Sequence, residues 1–408
     1  MRILFLTFYF QPDLSAGSFR ATALANALVA QGDGKVEVDV LTTHPNRYHS
    51  FSVNAAEQEV LGNLRIRRFQ VPVHKSGMVD QSRAFASYAR QVIGALRGRS
   101  YDLVFATSSR LMTAALGALV SKRLSAPLYL DIRDIFTDTM QELLAGRPLR
   151  HLIPILKAVE RFTLRSAAKI NLVSGGFEDY ARSIVPDQHF SVFTNGIDED
   201  FLGVSFVNPV PNPRPVILYA GNIGEGQGLH RVLPEAARRL EGEAEFWIVG
   251  DGGARKALES ALARAGVGNV RLEYPVTRAK LLALYREADC LFLHLNCHEA
   301  FLKVLPSKVF EYAATGKPIL AGVSGYAREF IKTNLVNVVV FDPCNPEGLI
   351  EGFRSLRLEL TPRDDFVRRF SRANIAVAMA KDILSLLPGV AGKGRQKRDM
   401  LTGKSGPY

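Results

Sequence analysis

The stretch NCHEAFLKVLPSKVFEYAATGKP at residues 296–318 follows an apolar run, CLFLHL (Cys290–Leu295), and leads into a second run, PILAGV. The first run is typical of a buried parallel strand. SKVFEYAAT predicts a helix that begins with Ser307 as its N-cap and ends at Gly316. A strand, a loop and a helix start form an anion site, because free backbone N–H groups point outward from the helix.

Two charged side chains of this stretch fit a nucleotide diphosphate. Lys308 adds a positive charge at the helix start, and Glu311 lies one turn further along. A carboxylate in that place can accept hydrogen bonds from the two hydroxyl groups of a ribose. Taken alone, the stretch is equally compatible with an ordinary strand–helix unit that carries a solvated Lys and Glu.

Apolar strands alternate with helices on both sides of a proline-rich segment, GVSFVNPVPNPRP at 203–215. Repeated strand–helix units indicate parallel sheets covered on both faces, and the prolines indicate a linker. The predicted fold class is α/β, with two doubly wound Rossmann-like domains that face each other across a cleft. The predicted parts are an N-terminal domain at 1–202, a C-terminal domain at 216–360, a final helix at 361–388 that packs back toward the N-terminal domain, and a disordered basic tail at 389–408.

Composition narrows the class of partner. The chain has 408 residues and a formal net charge of +11, which favours anionic partners such as nucleotide phosphates or lipid headgroups. Its three cysteines form no CxxC pair, which favours a reducing, cytoplasmic compartment over a disulfide framework. No apolar run is long enough to predict a transmembrane helix, and the histidine spacing gives no support for a catalytic metal.

Glycine-rich or charged loops follow several predicted strands. In doubly wound sheets, ligands bind beyond the carboxyl ends of the strands, and glycine lets a backbone approach phosphate oxygens. The glycine spacing matches neither the dinucleotide-binding fingerprint nor a P-loop. The loops are SAGS at 15–18, DIRD at 131–134, AGNIGEGQG at 220–228 and VGDGG at 249–253.

The segments YAGNIGEGQGL, VGDGGARKAL, LLALYREADCLF and LPSKVFEYAATGKPIL together resemble the retaining glycosyltransferase family 4, of the GT-B fold. FYFQPDLSAGSFRATALANAL and PLYLDIRDIFTDT are similar to its bacterial amino-sugar and fucosamine-type members, which act in O-antigen and capsule assembly. The resemblance covers residues 1–388. It implies transfer of a sugar with retention from a nucleotide diphosphate sugar, a UDP-sugar being favoured.

The resemblance also implies partners and cofactors. The acceptor is expected to be a saccharide or a polyprenyl-diphosphate-linked sugar, which brings the protein to the inner leaflet of the cytoplasmic membrane. No cofactor, no metal and no nucleic acid are expected. Two other functions stay open: a sugar-nucleotide 2-epimerase of the same architecture, and a non-catalytic nucleotide-sugar-binding protein.

By position, Glu311 matches the glutamate that binds the donor ribose, and Lys303 stands where the family has a sugar-binding glutamate. Asn222 and Gln227 stand where the family often has phosphate-binding Arg and Lys. Lys308, alone or with Lys303, is therefore expected to neutralise the departing diphosphate.

The implied site residues fall into three groups. The catalytic residues are Lys308, Arg133 and Asp134, and the acceptor-binding residues are Gly17, Ser18 and Arg133. The donor-binding residues are Gly221, Asn222, Gly224, Gln227, Gly250, Tyr274, Val276, Phe301, Lys303, Ser307, Lys308 and Glu311.

Arg83, Arg90 and Arg97 repeat at seven-residue intervals and so share one face of a predicted helix. Two interpretations stay open. The face is solvated surface on a core-packed helix, or it contacts anionic lipid headgroups or a lipid diphosphate acceptor. The opposite, apolar face carries Phe85, Tyr88, Val92 and Leu96.

Overall fold

The computed structural model describes residues 1–13, 15–46, 54–72, 78–108, 111–143 and 151–388, so the predicted tail at 389–408 lies outside the described residues. The N-terminal domain is built on one eight-stranded sheet. Its strands are β1 (Arg2–Leu6), β2 (Glu37–Thr43), β3 (Gln58–Leu61), β4 (Leu64–Phe69), β5 (Leu103–Thr107), β6 (Leu128–Ile132), β7 (Lys169–Leu172) and β8 (Phe190–Ser191).

These strands lie in the order β3-β4-β2-β1-β5-β6-β7-β8, and every pair except β3–β4 is parallel. β3 is not predicted from the sequence, because it is an edge strand whose side chains are mostly exposed and show no alternation. The helices of this domain are α1 (Ala16–Gln31), α2 (Met78–Ala95), α3 (Leu111–Leu124), α4 (Phe136–Leu143), α5 (Ile153–Arg165) and α6 (Glu178–Ile184).

The C-terminal domain has a second, fully parallel sheet of six strands. Its strands are β9 (Val216–Ala220), β10 (Glu245–Val249), β11 (Val270–Glu273), β12 (Cys290–His294), β13 (Ile319–Gly322) and β14 (Val338–Phe341). Its helices are α7 (Leu229–Arg239), α8 (Arg255–Ala265), α9 (Arg278–Glu287), α10 (Lys308–Ala314), α11 (Gly325–Asn334) and α12 (Pro346–Ser355).

The strand order β11-β10-β9-β12-β13-β14 reverses direction between β9 and β12, as the first sheet does between β1 and β5. Parallel doubly wound sheets bind ligands beyond the carboxyl ends of the strands at such a reversal. The loops after β9 and β12 are therefore the expected donor site, and those after β1 and β6 are expected on the opposite side of the cleft.

The final helix predicted from the sequence is divided in two, α13 (Asp364–Arg369) and α14 (Arg372–Leu384). The helix is interrupted because this part of the chain pairs with Ile197, at the crossing where the chain passes from one domain to the other. Ile197 N–H donates to the Phe370 carbonyl at 2.8 Å, and Arg372 N–H donates to the Ile197 carbonyl at 2.8 Å. α14 then packs against α1 and adds apolar side chains to the N-terminal core.

The chain passes between the domains at Ile197, before the linker predicted at 203–215. Phe206 is buried in the core of the C-terminal domain. The side chains of Asn208 and Asn212 donate to the Glu287 carbonyl at 2.9 and 2.8 Å. The proline-rich segment is therefore bound along the C-terminal domain, and the two chain crossings lie side by side at residues 196–198 and 370–372.

Candidate active site

Lys308 and Glu311 meet at the start of α10, beyond the carboxyl end of β12. Lys308 Nζ donates to Glu311 Oε2 at 2.8 Å and to the Tyr285 hydroxyl at 3.2 Å. The Tyr285 hydroxyl donates to the same Glu311 oxygen at 3.2 Å. Glu311 Oε1 has a looser neighbour, Arg278 Nη1 at 3.7 Å.

Burial and charge act against each other in this cluster. Burial alone would raise the pKa of Glu311, but the positive charges of Lys308 and Arg278 hold that pKa below its usual value. Burial would likewise lower the pKa of Lys308, and the Glu311 carboxylate raises it instead. Both groups are therefore charged at neutral pH.

Ser307 does not act as the predicted N-cap. Its backbone is already helical, with φ −60° and ψ −26°, and its side chain makes no capping bond. The turn begins earlier, because Val309 N–H donates to the Pro306 carbonyl at 3.1 Å and Phe310 N–H to the Ser307 carbonyl at 3.2 Å. Two amides expected to face an anion are thus occupied, which leaves the side-chain cations as the main source of positive charge.

Arg278 connects the donor cluster to the domain crossing. Its Nη2 donates to Asp198 Oδ2 at 3.1 Å and its Nε to Asp200 Oδ2 at 3.0 Å. Arg372 donates to the other oxygen of Asp198. A continuous chain of charges therefore runs from Glu311 to the point where the chain passes between domains. One feature of the sequence does indicate such a contact. Arg278 is a cation in the first turn of a helix, where the helix dipole disfavours positive charge, so this side chain needs another partner.

The glycine loop after β9 is closed by its own polar side chains. Asn222 Nδ2 donates to Gln227 Oε1 at 2.7 Å, and Gly224 N–H donates to the same oxygen at 3.2 Å. Gly250 has φ +156°, and a Cβ there would lie 1.8 Å from the Gly221 carbonyl oxygen, so no other residue fits. Where the family often has two cations, this loop has a neutral pair that fixes its shape.

Of three further predicted donor residues, Phe301 contacts this loop, and Tyr274 and Val276 lie beyond β11. Phe301 packs against Gly226, where an added Cβ would stand 2.8 Å from the ring. Tyr274 is 61% exposed, and the Arg255 guanidinium lies 3.9 Å from its ring centroid. Val276 is a half-buried member of the C-terminal core.

Lys303 faces the N-terminal domain. Its Nζ lies 2.5 Å from Asp138 Oδ2 on α4 and 5.2 Å from the centroid of the Tyr180 ring. The Ser174 hydroxyl donates to the Lys303 carbonyl at 2.6 Å. The ammonium of Lys303 is thus held by an ion pair across the cleft. Asp138 could not be predicted from the sequence, because the pair joins residues on different domains.

The residues predicted to bind the acceptor lie close together, at the start of α1 and in the loop after β6. Ser15 caps α1 by accepting from Ser18 N–H at 3.1 Å, and the helix begins at Ala16, so most of the predicted loop SAGS at 15–18 is the first turn of α1. Arg133 Nη1 lies 3.0 Å from where a Cβ on Gly17 would stand. The Ser18 hydroxyl is buried and has no hydrogen-bond partner in the described part of the chain.

Arg133 and Asp134 have shifted titration. Burial lowers the pKa of Arg133 to about 10, against the opposing effect of Asp131. Asp134 is exposed, but the surrounding protein displaces enough water to raise its pKa to about 6. The charge of Arg372 lowers the pKa of both Arg133 and Glu311, so it acts on both sides of the cleft.

Two family models match the chain, one for each domain. A glycosyl transferase 4-like domain matches residues 17–196, and the glycosyl transferases group 1 model matches residues 204–370. Together they span most of the sequence. The chain belongs to the GT-B glycosyltransferases of family 4.

A curated relative and several solved structures are similar to this transferase. It is 34% identical over 163 residues to a putative colanic acid biosynthesis glycosyl transferase, WcaI, of Escherichia coli (strain K12). That match spans 39% of each protein, well under two thirds of the relative's length.

The solved structures share the fold at low identity. Sucrose-phosphate synthase of Thermosynechococcus elongatus is 15% identical with a TM-score of 0.72, over 95% of this chain and 99% of that one. WaaG, a glycosyltransferase involved in lipopolysaccharide biosynthesis, is 18% identical with a TM-score of 0.59, over 98% and 100%. HepE of Anabaena, solved with UDP, is 16% identical with a TM-score of 0.56, over 95% and 97%.

The basic face of the transferase is exposed, as its heptad spacing predicts. Arg83 and Arg90 are exposed on α2, and Arg97 is exposed just beyond its end. The opposite face contributes buried Tyr88, Val92 and Leu96 and half-buried Phe85 to the core. Among the described residues, no helix combines the length and apolarity needed to cross a bilayer, and no group of three or more His, Cys, Asp or Glu is arranged to hold a metal.

Proposed function

We propose that the protein transfers a sugar from a nucleotide diphosphate sugar to a saccharide or polyprenyl-diphosphate-linked acceptor, with retention, during surface polysaccharide synthesis. The observation that carries the proposal is the cluster of Lys308, Glu311 and Arg278 at the strand-order reversal of the C-terminal sheet. UDP is the favoured nucleotide, supported by the UDP bound to HepE. The polysaccharide role is supported by the similarity to WcaI, a putative colanic acid biosynthesis glycosyl transferase.

On the donor side, Glu311 offers Oε1 to the ribose hydroxyls, because Oε2 is already bound by Lys308 and Tyr285. Lys308 then lies where it can turn toward the diphosphate without leaving its carboxylate partner. A charged pair fixed before the substrate arrives stabilises charge that develops later, since little reorganisation remains to be done. Lys303 is not part of this pair.

On the acceptor side, Arg133 and Arg372 provide additional positive charge for the departing diphosphate. From the sequence, only Lys308, alone or with Lys303, was expected to do so. Retention follows a front-face course in which the leaving phosphate helps deprotonate the acceptor hydroxyl. No carboxylate nucleophile is required by that course. Asp134, with its pKa near 6, orients the acceptor and accepts a hydrogen bond from it when ionised.

We further propose that the protein needs no metal, because the cations of its own side chains meet the diphosphate. We propose that it works in the cytoplasm at the inner leaflet, where Arg83, Arg90 and Arg97 contact anionic lipid headgroups.

The test is a transfer assay with a panel of nucleotide sugars and lipid-linked saccharide acceptors, after thermal shift has selected the nucleotides that bind. We expect one UDP-sugar to raise the melting temperature and to give an acceptor-dependent product with the anomeric configuration of the donor. Donor conversion without acceptor would instead identify a 2-epimerase. Binding without turnover of any donor would identify a non-catalytic binding protein.

A further inference from the structure

Two of the three cysteines meet behind the donor glycine loop. Cys297 follows β12 and is exposed, and Cys344 follows β14 and is half-buried. Both contact Asn296 Oδ1: the Cys344 thiol donates to it at 3.4 Å, and Cys297 N–H donates to it at 2.8 Å. The third cysteine, Cys290, is fully buried within β12, and burial raises the pKa of its thiol far above the usual value.

Arg231 lies against the same group. Its Nη1 donates to Asn296 Oδ1 at 3.1 Å and to Cys297 Sγ at 3.5 Å. Cys344 Sγ lies 3.4 Å from Asn296 Oδ1, and Cys297 Sγ lies 3.5 Å from the Arg231 nitrogen that donates to that same oxygen, so the two thiols share one pair of polar neighbours. Burial raises the pKa of the Cys344 thiol. Cys297 is the more accessible of the two thiols, so a small molecule reaches it first.

We propose that Cys297 and Cys344 are a modification site, a dithiol that closes to an intramolecular disulfide when it meets a small-molecule disulfide, RSSR. The Cys297 thiolate attacks one sulfur of RSSR and releases RS⁻. The Cys344 thiolate then attacks Cys297 Sγ, the mixed disulfide breaks, and a second RS⁻ leaves. Two protein thiols are oxidised, one RSSR is reduced to two RSH, and the two thiol protons end on the RSH products.

The dithiol is connected to the donor loop by two hydrogen-bonded routes. Cys344 N–H donates to His294 Nε2 at 2.8 Å, so the ring proton is on Nδ1, which donates to the Gln227 carbonyl at 2.6 Å. Asn296 N–H donates to the Gly226 carbonyl at 2.8 Å, and its side chain donates to the Glu225 carbonyl at 2.7 Å. Closing the disulfide removes the Cys344 S–H donor and shifts residues at the base of that loop.

The site is tested with the full-length protein and oxidised glutathione, followed by alkylation of the remaining thiols and peptide mass spectrometry. We expect a cross-link between the tryptic peptides 287–303 and 333–354 that dithiothreitol reverses. Cys290 and Cys297 share the first peptide, so Cys290→Ala is the matched control and should give the same cross-link. Cys344→Ser should stop at a glutathione adduct on Cys297.

A stable glutathione adduct on wild-type Cys297 without a cross-link would overturn the proposal, as would loss of the cross-link in Cys290→Ala. The link to the donor loop rests on the proposed function and is tested separately, with UDP as probe. Loss of about one hydrogen bond should weaken UDP binding by about two- to tenfold in the oxidised protein, with recovery on reduction. Equal UDP affinity in both forms would overturn that link. If the reduced protein does not bind UDP at all, the proposed nucleotide fails while the cross-link result stands.

Discussion

The C-terminal side of the cleft holds its charges in closed pairs, whereas the N-terminal side has a buried hydroxyl without a partner among the described residues and an exposed carboxylate. Lys308 and Glu311 bind each other and share Tyr285. Across the cleft, the Ser18 hydroxyl has no partner within the described residues, and Asp134 is exposed with a raised pKa. Under the proposed function, this difference means that the donor side is organised before any ligand arrives, while the acceptor side is completed by its ligand.

The largest expected effect is that of Lys308→Ala. We expect kcat at saturating donor to fall by about 3–4 kcal/mol, on the order of a hundred- to thousandfold, with a smaller loss of donor affinity. The reason is that negative charge grows on the diphosphate as it leaves. Lys303→Ala is the comparison, and should cost less because its ammonium is held by Asp138. A near-normal kcat for Lys308→Ala, or a larger loss for Lys303→Ala, would move the phosphate site to Lys303.

The next effect concerns the basic face of the N-terminal domain. Replacing Arg83, Arg90 and Arg97 with Gln should weaken binding to anionic liposomes by about 1 kcal/mol per charge, with donor binding unchanged. Co-sedimentation with phosphatidylserine vesicles measures this. The control removes the same charge from exposed positions of the C-terminal domain, by Lys256→Gln, Arg264→Gln and Lys332→Gln. Equal losses in both triple variants would mean that total charge, and not this face, governs binding.

Glu311→Ala tests the donor side directly. Nucleotide binding should weaken by roughly 1.5–3 kcal/mol, the range for hydrogen bonds to charged groups, as measured by calorimetry. Circular dichroism should show a retained fold. Unchanged nucleotide affinity in the folded variant would show that Glu311 does not bind the ribose.

Asp134→Asn tests the acceptor side through the pH dependence of kcat/KM. If the ionised carboxylate binds the acceptor, kcat/KM should fall as the pH drops below about 6, and the variant should lose this limb. The folded protein holds this proton more tightly than the unfolded chain does. Ionisation of Asp134 therefore lowers stability as the pH rises from 3.8 through about 6, and the variant should be more stable at pH 7. If kcat/KM of the variant still falls below about pH 6, a group other than Asp134 is responsible for that fall.

The smallest expected effect is that of metal removal. Activity should be unchanged in excess EDTA, because Lys308, Arg133 and Arg372 supply the charge compensation. Activity lost in EDTA and restored by Mg²⁺ or Mn²⁺ would contradict this and show that the cluster needs an added cation.

The sequence predicted the architecture well, because the central strands of both sheets are largely apolar runs that alternate with helices. β9 and β12 are the clearest cases, since both are completely buried. β3 was missed because an exposed edge strand has no such pattern. Ser307 was predicted as a cap from its residue type, but the i to i+3 bonds at Pro306 and Ser307 had already started the turn.

The residues predicted for the site lie in loops after the strands and at helix starts, where sequence patterns mark them, but the ion pairs between distant segments were not predicted. Lys308 and Glu311 share one helix, so their pairing follows from helical geometry. Asp138, Arg278 and Arg372 were missed, because their partners belong to another domain or to the crossing between domains. Such contacts depend on how two domains pack, which no local pattern records.

The return of α14 to the N-terminal domain sets an order for folding on the ribosome. The apolar side of α1 is covered by Met379, Ala380 and Ile383, which are synthesised only after the whole C-terminal domain. The first domain therefore emerges with part of its hydrophobic surface uncovered. It remains open to chaperones and proteases until the last helix is released, although the second domain can already have folded. A nascent chain stalled before Arg372 would keep that exposed surface.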